Sequence, residues 1–280
     1  MAFRTIIAFM RSPSEASRIM AAANLLAKTT DNAHIIGLYT IPSPMVYADP
    51  TGFADATLFE AHEKHHKQNS ERISALFANE MKKNDTSHEF RIIRSQHASP
   101  STGVTQSALR ADIIVAGQTD PDDPDTVNDA TDPLVMESGR PVMFVPYSFS
   151  PPETINNIVV AFNGKREASR AAFDALPLLE QADSVELIWV NPKESAAYDD
   201  SIPGTPLADA IRRHGVNVKA TPLPSHGLSD HEAIRQRVMA NGAQVLVMGA
   251  YSQSRLKEWV FGGVTTSIMS DMPCLTFMSR

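Results

Sequence analysis

The chain contains an internal duplication, and this restricts its fold more than any other feature of the sequence. The run Thr5–Phe9 is followed by Glu15-Ala-Ser-Arg18, and the similar run Ile158–Phe162 is followed by Glu167-Ala-Ser-Arg170. In this alignment the turn between run and tetrapeptide is one residue tighter in the second copy. Repeated pieces in the same order indicate two structural units of one kind.

Two later pieces repeat with a common spacing. The segment Ala111–Gly117 matches Ala243–Gly249, 132 residues further on (249 − 117), and Pro141 matches Pro273 at the same distance. The early pieces lie 153 residues apart (162 − 9), so the second copy lacks 21 residues in its middle. In the first copy that place holds a long polar stretch, roughly Ala54 to Lys83, which we expect to be helical.

Each copy alternates apolar strand-like runs with helical segments. The first run of each copy is β-branched without alternation, which is typical of a strand buried on both faces. Helices are expected at Pro13–Lys28 and Arg166–Glu180. The alternation predicts an α/β fold of two repeated doubly wound domains, each with a five-stranded, mostly parallel sheet. The expected domains are 1–147 and 153–280, joined by a proline-bearing linker.

Composition excludes several classes of protein. The formal net charge of −7 disfavours a general nucleic-acid binder or a protein docked on anionic membrane. No stretch approaches the ~20 apolar residues of a membrane span, and the beginning of the chain lacks a signal-peptide core. The single cysteine, Cys274, forms no intrachain disulfide and is expected to be a small buried hydrophobe. We therefore expect a soluble cytoplasmic protein.

A ligand site is expected where the strand order of a doubly wound sheet reverses, beyond the carboxyl ends of the first and fourth strands. In the second copy these strands end near Asn163 and Gly249. The loop after Gly249 carries Arg255 and Lys257, and Gly262-Gly263 precedes an expected helix running toward Ser270. Unobstructed amides at a helix start favour a phosphate. The alternative is a structural glycine turn with a helix cap.

This loop resembles that of the universal stress protein family. The family pattern is Gly, two residues, Gly, nine residues, Gly, then Ser, Thr or Asn. Gly249, Ser252, Gly262 and Gly263 keep its spacing, with Ser252 and Gly263 departing in residue type. The resemblance implies ATP, with Mg²⁺, as the cofactor of the second copy. It implies a site made of Asn163 (where the family usually has Asp), Val190 at the adenine edge, Met248, Gly249, Ser252, Gly262, Gly263 and Val264.

The first copy has a different loop after Gly117. Asp120, Asp122, Asp123 and Asp125 stand close together, and no glycine pair follows. Clustered carboxylates repel phosphates, and prolines remove amide donors. We predict that the first copy has lost the nucleotide site. The EF-hand spacing of Gly and Glu is missing, so a solvated acidic loop is favoured over a calcium site.

The segment His62-Glu63-Lys64-His65-His66 matches the zinc-protease pattern His-Glu-x-x-His. Its polar neighbours and the lack of a counterpart in the second copy indicate a solvated face of an appended helix. A metallohydrolase is therefore the remote hypothesis, and no metal ligand is assigned.

Two functions remain open. The leading hypothesis is a stress-response regulatory protein that binds ATP or a related adenine nucleotide in its second domain, without catalytic residues and with at most slow hydrolysis. The alternative is a ligand-free dimerisation or protein-interaction module of the same fold. Its last strand, Cys274–Phe277, would pair across domains or subunits, giving a homo-oligomer or an intrachain pseudo-dimer with protein partners that the sequence does not identify.

Overall fold

The computed structural model describes residues 2–30, 32–44, 56–127, 129–148, 150–192, 202–251 and 263–280. Its ten strands are β1 (Thr5–Phe9), β2 (His34–Ile41), β3 (His88–Arg94), β4 (Ile113–Gly117), β5 (Val142–Val145), β6 (Asn157–Ala161), β7 (Ser184–Val190), β8 (Val218–Leu223), β9 (Val245–Gly249) and β10 (Leu275–Ser279). The described helices are α1 (Pro13–Thr29), α2 (Ala56–Asn84), α3 (Pro100–Ala108), α4 (Asp132–Met136), α5 (Arg166–Asp174), α6 (Leu176–Leu179), α7 (Thr205–Arg212), α8 (Asp230–Ala240) and α9 (Val264–Ser270).

All ten strands form one sheet in the order β3-β2-β1-β4-β5-β10-β9-β6-β7-β8. The two sets of five strands have the same order, and every neighbouring pair is parallel except β5 with β10. The predicted α/β fold is confirmed, including the reversal between the first and fourth strands of each set. The last strand pairs across the two halves within one chain. The domain limits at 147 and 153 stay predictions.

Helices cover both faces of the sheet, as a doubly wound fold requires. One apolar cluster lies under α1, α2, α5, α6 and α7, and the other lies under α3, α4, α8 and α9. Side chains of β1 alternate between the two clusters, with Ile6 in the first and Ile7 in the second, both fully buried. This double burial explains the unbroken apolar run of the strand. Cys274 is buried too, and burial raises the pKa of its thiol to about 12.

The strand pairings correct the alignment of the two copies. Phe9 pairs with Ala116, and Ala161 pairs with Met248. Because Ala116 and Met248 are the predicted equivalents 132 residues apart, Phe9 corresponds to Ala161 at a spacing of 152 (161 − 9). The expected spacing of 153 and the tighter second turn are therefore wrong. At the corrected spacing Arg11 is the counterpart of Asn163.

Two expected helices differ from the structure. The segment 166–180 divides at Ala175 into α5 and α6, because Pro177 has no amide to continue the hydrogen-bond ladder. Helix α2 is as long as expected, but it is no appendage, since Ile73, Phe77 and Met81 are buried in the first cluster. In the second half the shorter α7 holds the corresponding place between β7 and β8.

We expect the join between the two halves to depend on Phe277 of β10. Phe277 is fully buried, pairs with Met143 of β5 and stacks on Phe3 with ring centroids 6.5 Å apart. Phe277→Ala should lower the free energy of unfolding by about 3–5 kcal/mol, measured by urea denaturation. The control Phe173→Ala removes a ring that is 40% exposed and should cost less than about 1 kcal/mol. Equal losses in the two variants would contradict this role.

Candidate functional site

Four of the predicted site residues meet at the carboxyl edge of three neighbouring strands. Ala161 of β6 pairs with Ile188 of β7 on one side and with Met248 of β9 on the other. Asn163 follows β6, Val190 ends β7, and Met248 and Gly249 end β9. The fold therefore places these side chains around one crevice, at the strand-order reversal of the second half.

The turn after β6 presents Asn163 at the surface. Its Oδ1 accepts a hydrogen bond from the Lys165 amide at 3.1 Å, and Gly164 adopts a φ of +74°. A Cβ on Gly164 would lie 2.8 Å from the ring of Trp189, so both conformation and space require glycine here. Helix α5 begins directly afterwards, and its N-cap residue Lys165 makes no side-chain cap. Exposed Lys165 and Arg166 give this edge a positive charge.

Gly249 is needed for close packing. A Cβ at this position would lie 2.4 Å from the Ala168 amide nitrogen and 2.5 Å from the Glu167 carbonyl carbon, both in the first turn of α5. The missing side chain therefore lets β9 lie directly against α5. Contact between Gly249 and a ligand stays a prediction.

Tyr251 brings the start of α9 to the end of β9. It has a φ of +51°, which is unusual for a bulky residue, and its amide donates to Thr265 Oγ1 at 3.2 Å. Its hydroxyl donates to Asp132 of α4, which belongs to the first half. Gly263 and Val264 are thereby held near β9, whereas Ser252 and Gly262 lie outside the described residues. Sequence reasoning missed Tyr251 and Asp132 because their contact spans both halves.

Half-buried apolar side chains line one wall of the crevice. Ala161, Val190, Leu223 and Val264 pack on the second apolar cluster while remaining partly exposed. The strand registers make Phe9 the counterpart of Ala161 and Thr40 that of Val190. Phe9 is 0% exposed and Thr40 is 2% exposed. Among the residues that the structure describes, the crevice of the second half therefore keeps accessible apolar side chains, whereas that of the first half is closed.

Arg11 fills the crevice of the first half. Its side chain is fully buried, and Nη2 donates to Glu15 Oε2 at 3.0 Å and to the Gly117 carbonyl at 2.8 Å. Nη1 lies 3.6 Å from Asp129 Oδ2. Burial opposes the charged guanidinium, but Glu15, Asp129 and Asp123 outweigh it and raise the pKa of Arg11. The guanidinium group of Arg11 thus occupies the crevice at the strand-order reversal of the first half.

The acidic loop of the first half folds back onto the protein. Asp123 accepts hydrogen bonds from Ser12, at 2.6 Å, and from Ser14. Burial raises the pKa of Asp123, but these hydroxyls lower it overall. Asp129 is only 4% exposed and accepts from Ser99 and Ser101. The expected solvated loop is wrong for Asp129. The loss of the nucleotide site from the first half stays a prediction. The filled crevice adds occupation by Arg11 to the two reasons given for it, repulsion by carboxylates and removal of amide donors by prolines.

A cavity of about 380 Å³ lies between the two halves. Gln118 forms part of its wall, donating to the carbonyls of Met269 (2.8 Å) and Ser270 (3.1 Å) and accepting from the Tyr147 amide (3.2 Å). The cavity is lined by Gln118, Thr119, Pro121, Val127, Thr131, Asp132, Tyr147, Tyr251, Thr266, Met269 and Ser270.

The side chains of the zinc-protease pattern contact other parts of the protein. Glu63 turns to the surface and pairs with Arg94 at 2.7 Å, while His65 bonds Asp125 and His66 bonds Tyr39. Within the described ranges of the chain, no three His, Cys, Asp or Glu side chains are grouped to hold a metal.

Known proteins resemble this chain in structure. A universal stress protein from Archaeoglobus fulgidus DSM 4304 superimposes with a TM-score of 0.72 at 13% identity, covering 99% of this chain and 96% of the other. The chain has the universal stress protein fold. A functionally unknown protein from Pseudomonas aeruginosa PAO1 gives a TM-score of 0.59 at 14% identity, with 99% and 92% covered. A putative universal stress protein from Pseudomonas aeruginosa UCBPP-PA14 gives 0.57 at 15% identity, with 99% and 93% covered.

Sequence comparison gives no match, since neither a protein-family model nor a curated protein matches the chain. Among the residues the structure describes, no helix is long and apolar enough to cross a membrane.

We expect Arg11 to be essential for the stability of the universal stress protein fold in this chain. Arg11→Met would remove the guanidinium that neutralises the buried carboxylates of Glu15 and Asp129, at a cost of about 3–5 kcal/mol at pH 7. Urea denaturation would measure the loss.

The matched control is Arg166→Met, whose side chain is 85% exposed in its pair with Glu167. It should change the free energy of unfolding much less than Arg11→Met does, because an exposed ion pair contributes little. If Arg11→Met were as harmless as this control, the buried network would not stabilise the fold.

Proposed function

We propose that this protein is a stress-response regulatory protein that binds ATP or a related adenine nucleotide, with Mg²⁺, in the crevice of its C-terminal half. One observation carries the proposal: of two equivalent crevices, that of the first half is filled by Phe9 and Arg11, whereas that of the second half has Ala161 and Asn163. The similarity to universal stress protein structures supports the same assignment.

The chemistry of the open crevice suits an adenine nucleotide. The half-buried wall of Ala161, Val190 and Val264 offers an apolar surface for a flat base, and Asn163 offers an amide that donates and accepts hydrogen bonds. Lys165 and Arg166 supply positive charge for phosphates at the edge. Asn163 cannot act as a general base, so binding rather than rapid hydrolysis is proposed.

Filling the crevice should abolish this binding. Ala161→Phe introduces the residue of the first half, and its ring would occupy the space proposed for the nucleotide. Calorimetric titration with MgATP should give one saturable site per chain, and the variant should bind at least about 10-fold more weakly. Circular dichroism and thermal unfolding would establish that the variant is folded.

The control is Ala182→Phe, which enlarges a partly exposed alanine that precedes β7, at the opposite end of its strand from the crevice. Its affinity should equal that of the unmodified chain. Absence of saturable binding by the unmodified chain, or equal loss in both variants, would overturn the nucleotide site.

The second candidate is a ligand-free interaction module, favoured by the antiparallel pair of β5 and β10. Three residues on each strand form this pair, which joins the halves as a pseudo-dimer within one chain. Under this hypothesis the chain binds protein partners and no adenine nucleotide, so the same titration separates the two functions. A further homo-oligomer and a cytoplasmic location stay predictions.

A further inference from the structure

Three histidines on one stretch of α2 form a cluster that connects this helix to two other elements. The rings of His62 and His66 have centroids 4.3 Å apart, and those of His65 and His66 are 5.2 Å apart. His66 Nδ1 lies 2.6 Å from the Tyr39 hydroxyl of β2. His65 Nε2 lies 2.7 Å from Asp125 Oδ1, and Asn69 donates to Asp125 Oδ2 at 2.8 Å.

Helix α2 is attached differently along its two halves. From Ile73 onward it is held by apolar side chains in the core, including Phe77 and Met81. Between residues 57 and 69 its side chains are exposed or partly exposed, and the attachments described for this segment are polar: the histidine cluster and the ion pair of Glu63 with Arg94 of β3. A segment held mainly by a few polar contacts opens at lower free energy than one held in the core.

Protonation of the cluster opposes its present arrangement. Burial, followed by the neighbouring His62 and His65, lowers the pKa of His66 to about 4, and burial also lowers the pKa of His62. The charged groups that face them are Glu63 and His65 on α2, Arg94 on β3 and Asp125 on the acidic loop, with Tyr39 on β2. Nδ1 of His62 is buried without a hydrogen-bond partner, so a charge on this ring would be poorly compensated.

We propose that this cluster is a proton-operated latch: acidification charges His66 and His62 and releases the first half of α2 from Tyr39, while the His65–Asp125 pair remains as a tether. The direction follows from linkage. His66 binds its proton more tightly when the segment is open, so closure is fully favoured above about pH 6.5 and is lost as the pH falls toward about 4.

Hydrogen exchange of the full chain at pH 7 and pH 4.5, corrected for intrinsic rates, tests the latch. Peptides covering residues 57–69 should show opening that rises by roughly 10- to 300-fold in acid, since each pH unit contributes up to tenfold per histidine. Peptides covering residues 73–81 should stay protected. Parallel exposure of both peptides would mean global unfolding and would overturn the proposal.

Variants separate the roles of the histidines. His66→Gln keeps an amide near Tyr39 without a titratable ring and should reduce the acid response to less than about threefold, while His65→Gln should enlarge it by removing the tether. The control His97→Gln changes an exposed histidine outside the cluster and should respond like the unmodified chain. An unchanged response in His66→Gln would overturn the latch. The pKa of His66 can also be measured by NMR in the unmodified chain. A value near 6.5 would likewise overturn the latch.

Discussion

The antiparallel pairing of β5 with β10 is the constraint on which the rest of the molecule depends. Without this pairing the chain would form two five-stranded sheets, and β5 and β10 would be exposed edge strands. With it, the ten strands form one continuous hydrogen-bonded sheet. The same pairing brings α4 beside α9, so that Tyr251 bonds Asp132 and Gln118 bonds the end of α9. The two crevices are thereby fixed relative to each other.

The two halves differ more in which charged side chains they bury than in the path of their backbones. Arg11 and Asn163 occupy equivalent positions at the same strand-order reversal. Arg11 has Glu15 and Asp129 to compensate its burial, and the hydroxyls around Asp123 and Asp129 complete that network. These ion pairs and hydrogen bonds depend on one another, because a buried carboxylate or guanidinium without a partner is costly. The second half retains an exposed amide and an accessible apolar wall at this place.

Much of this architecture could be predicted from the residues because repeated apolar runs report buried parallel strands directly. The alignment of β1 with β6 could not be predicted. Phe9 and Phe162 stand in similar sequence runs, but they face opposite sides of the sheet. The burial of Arg11 could not be predicted either, because an arginine after a strand is usually solvated. Its one signal was Glu15 four residues later, combined with the aspartates beyond Gly117. The site residues at the strand ends were found because chain topology alone brings them together, whereas the contact of Tyr251 with Asp132 needs the assembled halves.

Fusion of the two units into one polypeptide has a genetic consequence. In an assembly of two identical subunits, any substitution at the strand-order reversal appears at both sites at once, so a filled crevice and an open one cannot coexist in the same symmetric particle. Here one polypeptide carries the two positions separately, with arginine at one and asparagine at the other. The difference between the two described crevices is therefore set by covalent linkage rather than by assembly.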